Sequence, residues 1–306
     1  MHPRRSFSRG ARQWVDRTLF LGPATLLLAL FFLLPVIVDI GIAFTDMGRD
    51  LRVTGFTTEH VERIVGGDRR LPQIILITLT YVLGTLSIFN VSYGLLLALL
   101  TTALPDRVGG FFRAVWFIPR ASPSVVYALL WSWVVAPTNY GLLNQVLAMF
   151  GLPGLDLKSD APMVVVILAN GFIGASFGMI IFTGAIRSIP QHLFHAARVD
   201  GAGALAITWH VTLPAIRWQI SFVTIYQALS LLVSFEYIWL ITNGGPFYDT
   251  TVYALYVYRR AFDNGQYAYG AALALGLVIV GIAVALALWR FFDMKALLQK
   301  PRIEVN

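Results

Sequence analysis

The segment from His195 to Pro214 decides how the rest of the chain is interpreted. It reads His195-Ala196-Ala197-Arg198-Val199-Asp200-Gly201-Ala202 and then, further on, Val211-Thr212-Leu213-Pro214. Ahead of it, Pro190 suits a first helical turn, and Ser188 and Gln191 have the spacing of a capping box. Gly201 accepts the left-handed conformation that ends a helix. The pattern predicts a surface helix of about three turns, too short and too polar to cross a bilayer.

The composition around this segment is that of an integral membrane protein. Of 306 residues, 57% are hydrophobic and 13% are charged, and mean hydropathy is +0.70. Soluble domains have about 45–50% apolar and about 25% charged residues. Cysteine is absent, which excludes disulfides and thiolate chemistry. His192 and His195 could share a metal at i, i+3 spacing, but a polar helix face beside a partner protein is the favoured interpretation. We expect no metal and no cofactor.

Six apolar stretches are longer than the roughly 20 residues that a helix needs to cross a bilayer. They run from about 18 to 45, 72 to 104, 111 to 136, 162 to 186, 218 to 242 and 267 to 292. The sequence therefore predicts an all-α polytopic protein with an N-terminal tail (1–17), a transmembrane domain (18–292) and a C-terminal tail (293–306).

Lys and Arg concentrate in the segments that a six-span topology places on one side of the membrane. The positive-inside rule then puts both termini and the His195 segment in the cytoplasm. The net charge of +7 follows from this topology, so the basic character does not indicate nucleic-acid binding.

The His195 segment resembles the cytoplasmic coupling loop of ABC importer permeases. The family pattern is Glu-Ala-Ala, three residues, Gly, nine residues and Ile-x-Leu-Pro, and here His195 stands in place of the usual Glu. The resemblance implies that a loop of about 188–216 contacts a separate ATPase. Its coupling residues are His195, Ala196, Ala197, Asp200, Gly201, Leu213 and Pro214. An amphipathic helix lying on lipid is the alternative interpretation.

A second group of motifs narrows the family. The turn Leu240-Ile241-Thr242-Asn243-Gly244-Gly245-Pro246, followed by Tyr256-Val257-Tyr258 and Ala261-Phe262, looks like the carbohydrate permeases of the maltose and glycerol-phosphate type. Phe172 stands where that family often has Trp. The resemblance implies a type I ABC importer fold in the bacterial cytoplasmic (inner) membrane. It also implies the first of two permease subunits, which imports a sugar, oligosaccharide or polyol.

The same resemblance implies a set of partners. These are a second permease subunit, two ATP-binding subunits, an extracytoplasmic solute-binding protein and membrane lipid. The chain has no Gly-x-x-x-x-Gly-Lys-Ser/Thr phosphate loop, so ATP must be bound by another subunit. We expect no enzymatic activity from this chain itself.

Charged and polar residues within apolar spans are candidates for the substrate path. Glu236 lies ~12 Å before Gly244 along a helix, and it matches a family position that is often acidic. It could bind sugar hydroxyls or pair with Arg120, and for Arg120 a structural role is favoured over substrate binding. Ser234 and Asn170 could line the path or serve as polar contacts between helices.

An ion- or proton-coupled secondary transporter is the alternative function. Such transporters often show internal repeats with interrupted helices. The two halves of this sequence have no convincing similarity, which favours the ABC importer.

Overall fold

The computed structural model describes residues 9–291, and for residues 9–17 it gives the backbone course alone. Within this range the chain is helical and contains no β-strand. One isolated antiparallel bridge joins Thr45 to Phe56. The all-α prediction is confirmed, while residues 1–8 and the predicted tail at 293–306 lie outside the described residues.

The α-helices follow one another with short connections. In chain order they are α1 (Arg9–Leu28), α2 (Leu34–Ala43), α3 (Glu59–Glu62), α4 (Leu71–Gly84), α5 (Gly94–Ala103), α6 (Asp106–Ala121), α7 (Ser124–Val134), α8 (Leu142–Met149), α9 (Leu157–Asp160), α10 (Pro162–Arg187), α11 (Gln191–Val199), α12 (Ala204–Ile207), α13 (Leu213–Ala215), α14 (Arg217–Val233), α15 (Glu236–Thr242), α16 (Tyr253–Tyr258) and α17 (Tyr267–Phe291). The π-helical segments are Ala29–Leu33, Arg63–Gly67, Thr85–Tyr93, Thr208–Thr212 and Arg259–Asp263.

Four helices in the described range are long and apolar enough to cross a membrane: Thr18–Ala43, Leu71–Ala103, Pro162–Ser188 and Tyr267–Phe291. A fifth candidate is the pair Ala204–Ala215 and Arg217–Val233, which is bent by 69°. The count is therefore four or five by length and composition. The six-span topology and the cytoplasmic termini remain predictions.

The predicted third and fifth spans are not continuous helices, which corrects their expected form. The third is divided between α6 and α7, where Ser122 (ψ 145°) and Pro123 (ψ 135°) are extended. Proline explains this break, because it disfavours helical geometry in the residue before it. The fifth is divided between α14 and α15 at Ser234, where ψ is 121°, and no proline or glycine marks the position.

The chain forms two compact units. One comprises, among the described residues, 69–256 and 277–291. Here α10 is central, and α4, α5, α6, α14 and α15 pack around it. The apolar window of α10 is 56% buried.

Glycines on α10 allow neighbouring backbones to approach closely. A Cβ added at Gly174 would lie 1.9 Å from Asn90 Oδ1, and one at Gly178 would lie 2.4 Å from the Asn90 carbonyl oxygen. Small residues at helix interfaces permit this kind of membrane packing. Gly174 and Gly178 therefore allow α10 to lie directly against the helical segment Thr85–Tyr93, which contains Asn90.

The turn after α15 is rigidly braced. Asn243 and Gly244 adopt positive φ values of 49° and 67°. Thr250 and Thr251 are fully buried. Thr250 Oγ1 donates to the Gly245 carbonyl oxygen at 2.9 Å, and Thr251 Oγ1 donates to that of Gly244 at 2.7 Å.

The second unit comprises, among the described residues, 9–68 together with Val257–Gly276. Its core contains Ala43, Ala271 and Ala272, with half-buried apolar side chains from Ile42, Ile64 and Leu275. The Ala268 amide donates to the Met47 carbonyl oxygen at 3.1 Å. The segment after α2 is thus held against the start of α17.

Candidate functional site

The predicted coupling segment begins with α11, which has nine residues. Pro190 precedes its first turn, and no side chain accepts a hydrogen bond from the first-turn amides. Ser188 Oγ instead donates to the Ala185 carbonyl oxygen at 2.7 Å. The predicted capping box of Ser188 and Gln191 is wrong, because Ser188 closes the end of α10 rather than opening α11.

The end of α11 is a Schellman motif. Gly201 has a φ of +77°. The Ala202 amide donates to the Ala197 carbonyl oxygen at 2.9 Å, and the Gly201 amide donates to that of Arg198 at 3.0 Å. These are the two bonds that define the motif. An added Cβ at Gly201 would meet nothing within 4 Å, so this position needs glycine for its conformation and not for space.

One side of α11 is anchored to the protein, and the other side is uncovered. Phe194 packs on a core that contains Ile189 and Ile216. On the uncovered side, Val199 is 87% exposed, and Leu205 just beyond the helix is 73% exposed. Of the predicted coupling residues in this part, Ala197 is half-buried and the exposed ones are His195, Ala196, Asp200 and Gly201.

Leu213 and Pro214 lie at the far end of the same segment. Leu213 is half-buried and Pro214 is exposed. Both precede Ile216, where the chain bends by 69° into α14. Ile216 is 1% exposed and belongs to the core that also holds Phe194. Phe194 and Ile216 therefore link the two ends of the predicted coupling segment to α10 and α14 through one shared core.

Two of the four candidate path residues contact each other. Asn170 Nδ2 donates to Ser234 Oγ at 3.3 Å, and the Tyr81 hydroxyl lies 3.5 Å from the same oxygen. Asn170 is 7% exposed and Tyr81 is completely buried. This polar group joins α4 and α10 to the break between α14 and α15. Sequence reasoning missed Tyr81, because one tyrosine within an apolar span carries no separate signal.

Glu236 is the first residue of α15, where it is exposed. Its Oε1 accepts a hydrogen bond from Ser124 Oγ at 2.7 Å. Ser124 is in turn the first residue of α7, directly after Pro123. Two helix N-termini therefore meet at this bond, and a carboxylate is favourable there because of the helix dipole. Ser124 was not predicted, and its place after the serine-proline pair is the signal that could have found it.

Arg120 takes a separate position. Its guanidinium lies over the Phe177 ring, 4.9 Å from the centroid. No salt bridge within 4.0 Å joins it to Glu236, and neither residue takes part in the ion pairs Arg187–Asp106 and Arg260–Asp68 of the described chain. Glu236 and Arg120 are thus not paired in this conformation, and the stacking gives Arg120 a structural contact.

Phe172 stands at the centre of an aromatic group. Its ring centroid lies 5.5 Å from that of Trp116, 5.8 Å from Trp131, 5.9 Å from Phe89 and 6.4 Å from Tyr93. Such distances are typical of favourable aromatic pairs. Phenylalanine therefore fills the position where the resembled family often has tryptophan.

Comparison with known proteins agrees with this architecture. A probable ABC transporter permease protein of Pyrococcus horikoshii is 30% identical over 279 residues, covering 88% of this chain and 92% of the relative. The multiple sugar-binding transport system permease protein MsmF of Streptococcus mutans is 30% identical over 274 residues, covering 87% and 92%.

A solved structure has the same fold. It belongs to a bacterial alginate ABC transporter in complex with an alginate pentasaccharide-bound periplasmic protein, with a TM-score of 0.79, 23% identity and coverage of 94% of this chain and 96% of that one. Residues 90–296 match the family described as binding-protein-dependent transport system inner membrane component. The chain therefore belongs to this family and is a multi-pass inner-membrane permease subunit of an ABC importer.

Proposed function

We propose that this chain is the permease subunit of an ATP-driven importer for a sugar, oligosaccharide or polyol. The observation that carries the proposal is the uncovered, Schellman-terminated helix α11, at the position expected for ATPase coupling in a chain of this family. The ion-coupled alternative loses support, because the family is one of binding-protein-dependent transport.

Coupling is assigned to His195, Ala196, Ala197, Asp200, Gly201, Leu213 and Pro214. This assignment is supported by side-chain packing, because Phe194 and Ile216 connect the segment to the core around α10. A push on α11 by a closing ATPase would therefore reach α10 and α14 directly. Large exposed apolar side chains such as Val199 and Leu205 are typical of a surface that a partner covers.

The substrate is proposed to pass beside Asn170, Ser234 and Glu236. Hydroxyl, amide and carboxylate groups can exchange hydrogen bonds with sugar hydroxyls, and Ser124 is the competing donor on Glu236. The sugar class is supported by the name of MsmF from Streptococcus mutans. Arg120 is given a structural role, since it stacks on Phe177.

The working complex is proposed to contain a second permease, two ATP-binding subunits and an extracytoplasmic solute-binding protein. The chain has no phosphate-loop motif, which supports a separate nucleotide-binding subunit. The alginate transporter, solved with a periplasmic protein, offers a precedent of the same fold. We propose no cofactor, metal or nucleic acid for this subunit.

The test is reconstitution of this chain with its partner permease and ATP-binding subunits in proteoliposomes, with ATP inside and the binding protein outside. We expect uptake of a labelled sugar or polyol that requires both ATP and the binding protein. Uptake by this chain alone, driven by an ion gradient, would contradict the proposal and support a secondary transporter.

A further inference from the structure

A polar cavity in the unit that contains α2, α3 and the start of α17 has no role in the function proposed so far. Its volume is about 330 Å³, and its lining includes Arg49, His60, Arg63, Gln266 and Tyr269. It lies beyond the end of the apolar helix at Ala43. The predicted topology puts this region on the extracytoplasmic side.

Arg63 is held in place at this cavity. Its guanidinium carbon lies 4.0 Å from the centroid of the Tyr269 ring. The Tyr269 hydroxyl donates to Asp68 Oδ2 at 2.6 Å, and Asp68 is close to Arg260, at 3.9 Å. Arg63 is half-buried, and in the described part of the chain its N–H groups meet no acceptor. Such a guanidinium is positioned for an anion that the described residues do not supply.

The other polar groups of the lining add two requirements. Arg49 is exposed, and its one hydrogen bond within the described residues is a long one of 3.5 Å from Nη2 to the Asn264 carbonyl oxygen. Gln266 Oε1 is buried and has no donor within reach in the described residues. A matching ligand therefore offers acceptors to two guanidinium groups and a donor to Gln266.

The remaining titratable groups do not compete for this ligand. His60 Nε2 lies 3.0 Å from the Thr45 carbonyl oxygen. The Asp46 carboxylate accepts from the amides of Thr54 and Gly55, at 2.8 and 3.1 Å. Both groups are already bonded within the loop. The lining then holds the two guanidinium groups of Arg49 and Arg63 against the one carboxylate of Asp46, so it keeps an excess of positive charge for an anion.

We propose that this cavity binds an aspartate or glutamate side chain of the extracytoplasmic solute-binding protein. The carboxylate would accept from Arg49 and Arg63, and a backbone N–H of the same protein segment would donate to Gln266 Oε1. An acidic residue on a loop has a side-chain carboxylate close to the backbone N–H groups of the same loop. It can therefore offer the acceptor and the donor that this lining requires. The inference rests on the proposed function and adds to it a defined docking contact for the binding protein.

The experiment measures the affinity of the purified solute-binding protein for the complete transporter in lipid nanodiscs. The variants are Arg63→Gln and Arg49→Gln, and the matched control is Arg52→Gln, an exposed arginine of the same loop that does not line the cavity. Losing a hydrogen bond to a charged group should weaken binding roughly tenfold. The control should stay within about twofold of wild type, as expected for an isolated surface charge. Basal ATP hydrolysis should be unchanged in all three.

Two results would overturn the inference. Equal affinities for Arg63→Gln and Arg52→Gln would show that only general surface charge acts. Binding of sodium glucuronate to the transporter without binding protein, lost in Arg63→Gln while binding-protein affinity stays normal, would assign the cavity to a free sugar acid. If the binding protein does not stimulate even the wild-type complex, the proposed function itself fails, which is a different outcome.

Discussion

Helices α10 and α11 follow each other in the chain but differ in their burial and in the role of their glycines. The apolar window of α10 is 56% buried, whereas α11 has no buried residue. Glycine shows the same contrast, since Gly178 of α10 is needed for space and Gly201 after α11 is needed for its positive φ. The difference indicates that α10 stabilises the subunit internally, while α11 leaves a side uncovered for the ATPase contact proposed above.

The largest expected effect is on α10. Gly178→Ala would place a Cβ 2.4 Å from the Asn90 backbone oxygen, and overpacking of this kind costs about 1–3 kcal/mol or more. We expect a lower thermal unfolding temperature and a lower yield of the purified complex. Gly184→Ala is the control on the same helix, because its Cβ would meet nothing within 4 Å. Equal stability of the two variants would remove the packing argument.

The next effect is on coupling and not on folding. Gly201→Val forces a β-branched residue into a left-handed conformation, which costs roughly 1–2 kcal/mol and misplaces the end of α11. Substrate-stimulated ATP hydrolysis should fall, while membrane insertion and complex yield stay normal. Gly203→Val is the control, since Gly203 has a φ of −74° and open surroundings. His195→Glu should be tolerated.

A smaller effect is expected at Glu236, the first residue of α15, which belongs to the proposed path beside Asn170 of α10. Glu236→Gln removes the charge that Ser124 contacts, so uptake should weaken while assembly survives. Because no ion pair joins Glu236 to Arg120, Arg120→Gln should act independently. The double variant should then be additive within about 0.5 kcal/mol. A rescue of complex yield in the double variant would instead indicate a buried ion pair in another state of the transporter.

The smallest effect concerns Asp46, which lies outside both helices. Hydrogen bonds from the Thr54 hydroxyl and from the amides of Thr54 and Gly55 lower the pKa of Asp46 from 3.8 to about 2. A lowered pKa stabilises the folded loop above pH 4, and this contribution is lost as the pH falls from about 4 to 2. The protection factors of the Thr54 and Gly55 amides, which compare each exchange rate with its intrinsic value at the same pH, should fall as the pH drops through that range, and Asp46→Asn should abolish this dependence.

Much of the fold could be predicted from the sequence, because composition and hydropathy are enough to locate long apolar helices and to assign the chain to the all-α membrane proteins. The spans at 18–45, 72–104, 162–186 and 267–292 correspond to continuous helices. The break at Ser122 and Pro123 follows from proline, although the prediction ignored it. The break at Ser234 has no local signal, since Asn170 and Tyr81, which are distant in sequence, supply the contacts to its side chain.

The candidate site could be predicted in part. The stop at Gly201 was predicted from glycine chemistry, and its positive φ confirms it. The roles of the coupling and path residues stay predictions. The meeting of Ser124 with Glu236 could not be foreseen, because it depends on two breaks that bring separate helices together.

The two breaks have a consequence for the membrane itself. Helices α6 and α14 end within the predicted third and fifth spans, and the last turn of a helix leaves carbonyl groups without helical partners. Acyl chains cannot hydrogen-bond to these groups. The interior beside Ser122 and Ser234 must therefore be walled by protein or hydrated. Where water reaches these breaks, the dielectric constant within the predicted span is locally higher than that of the surrounding acyl chains.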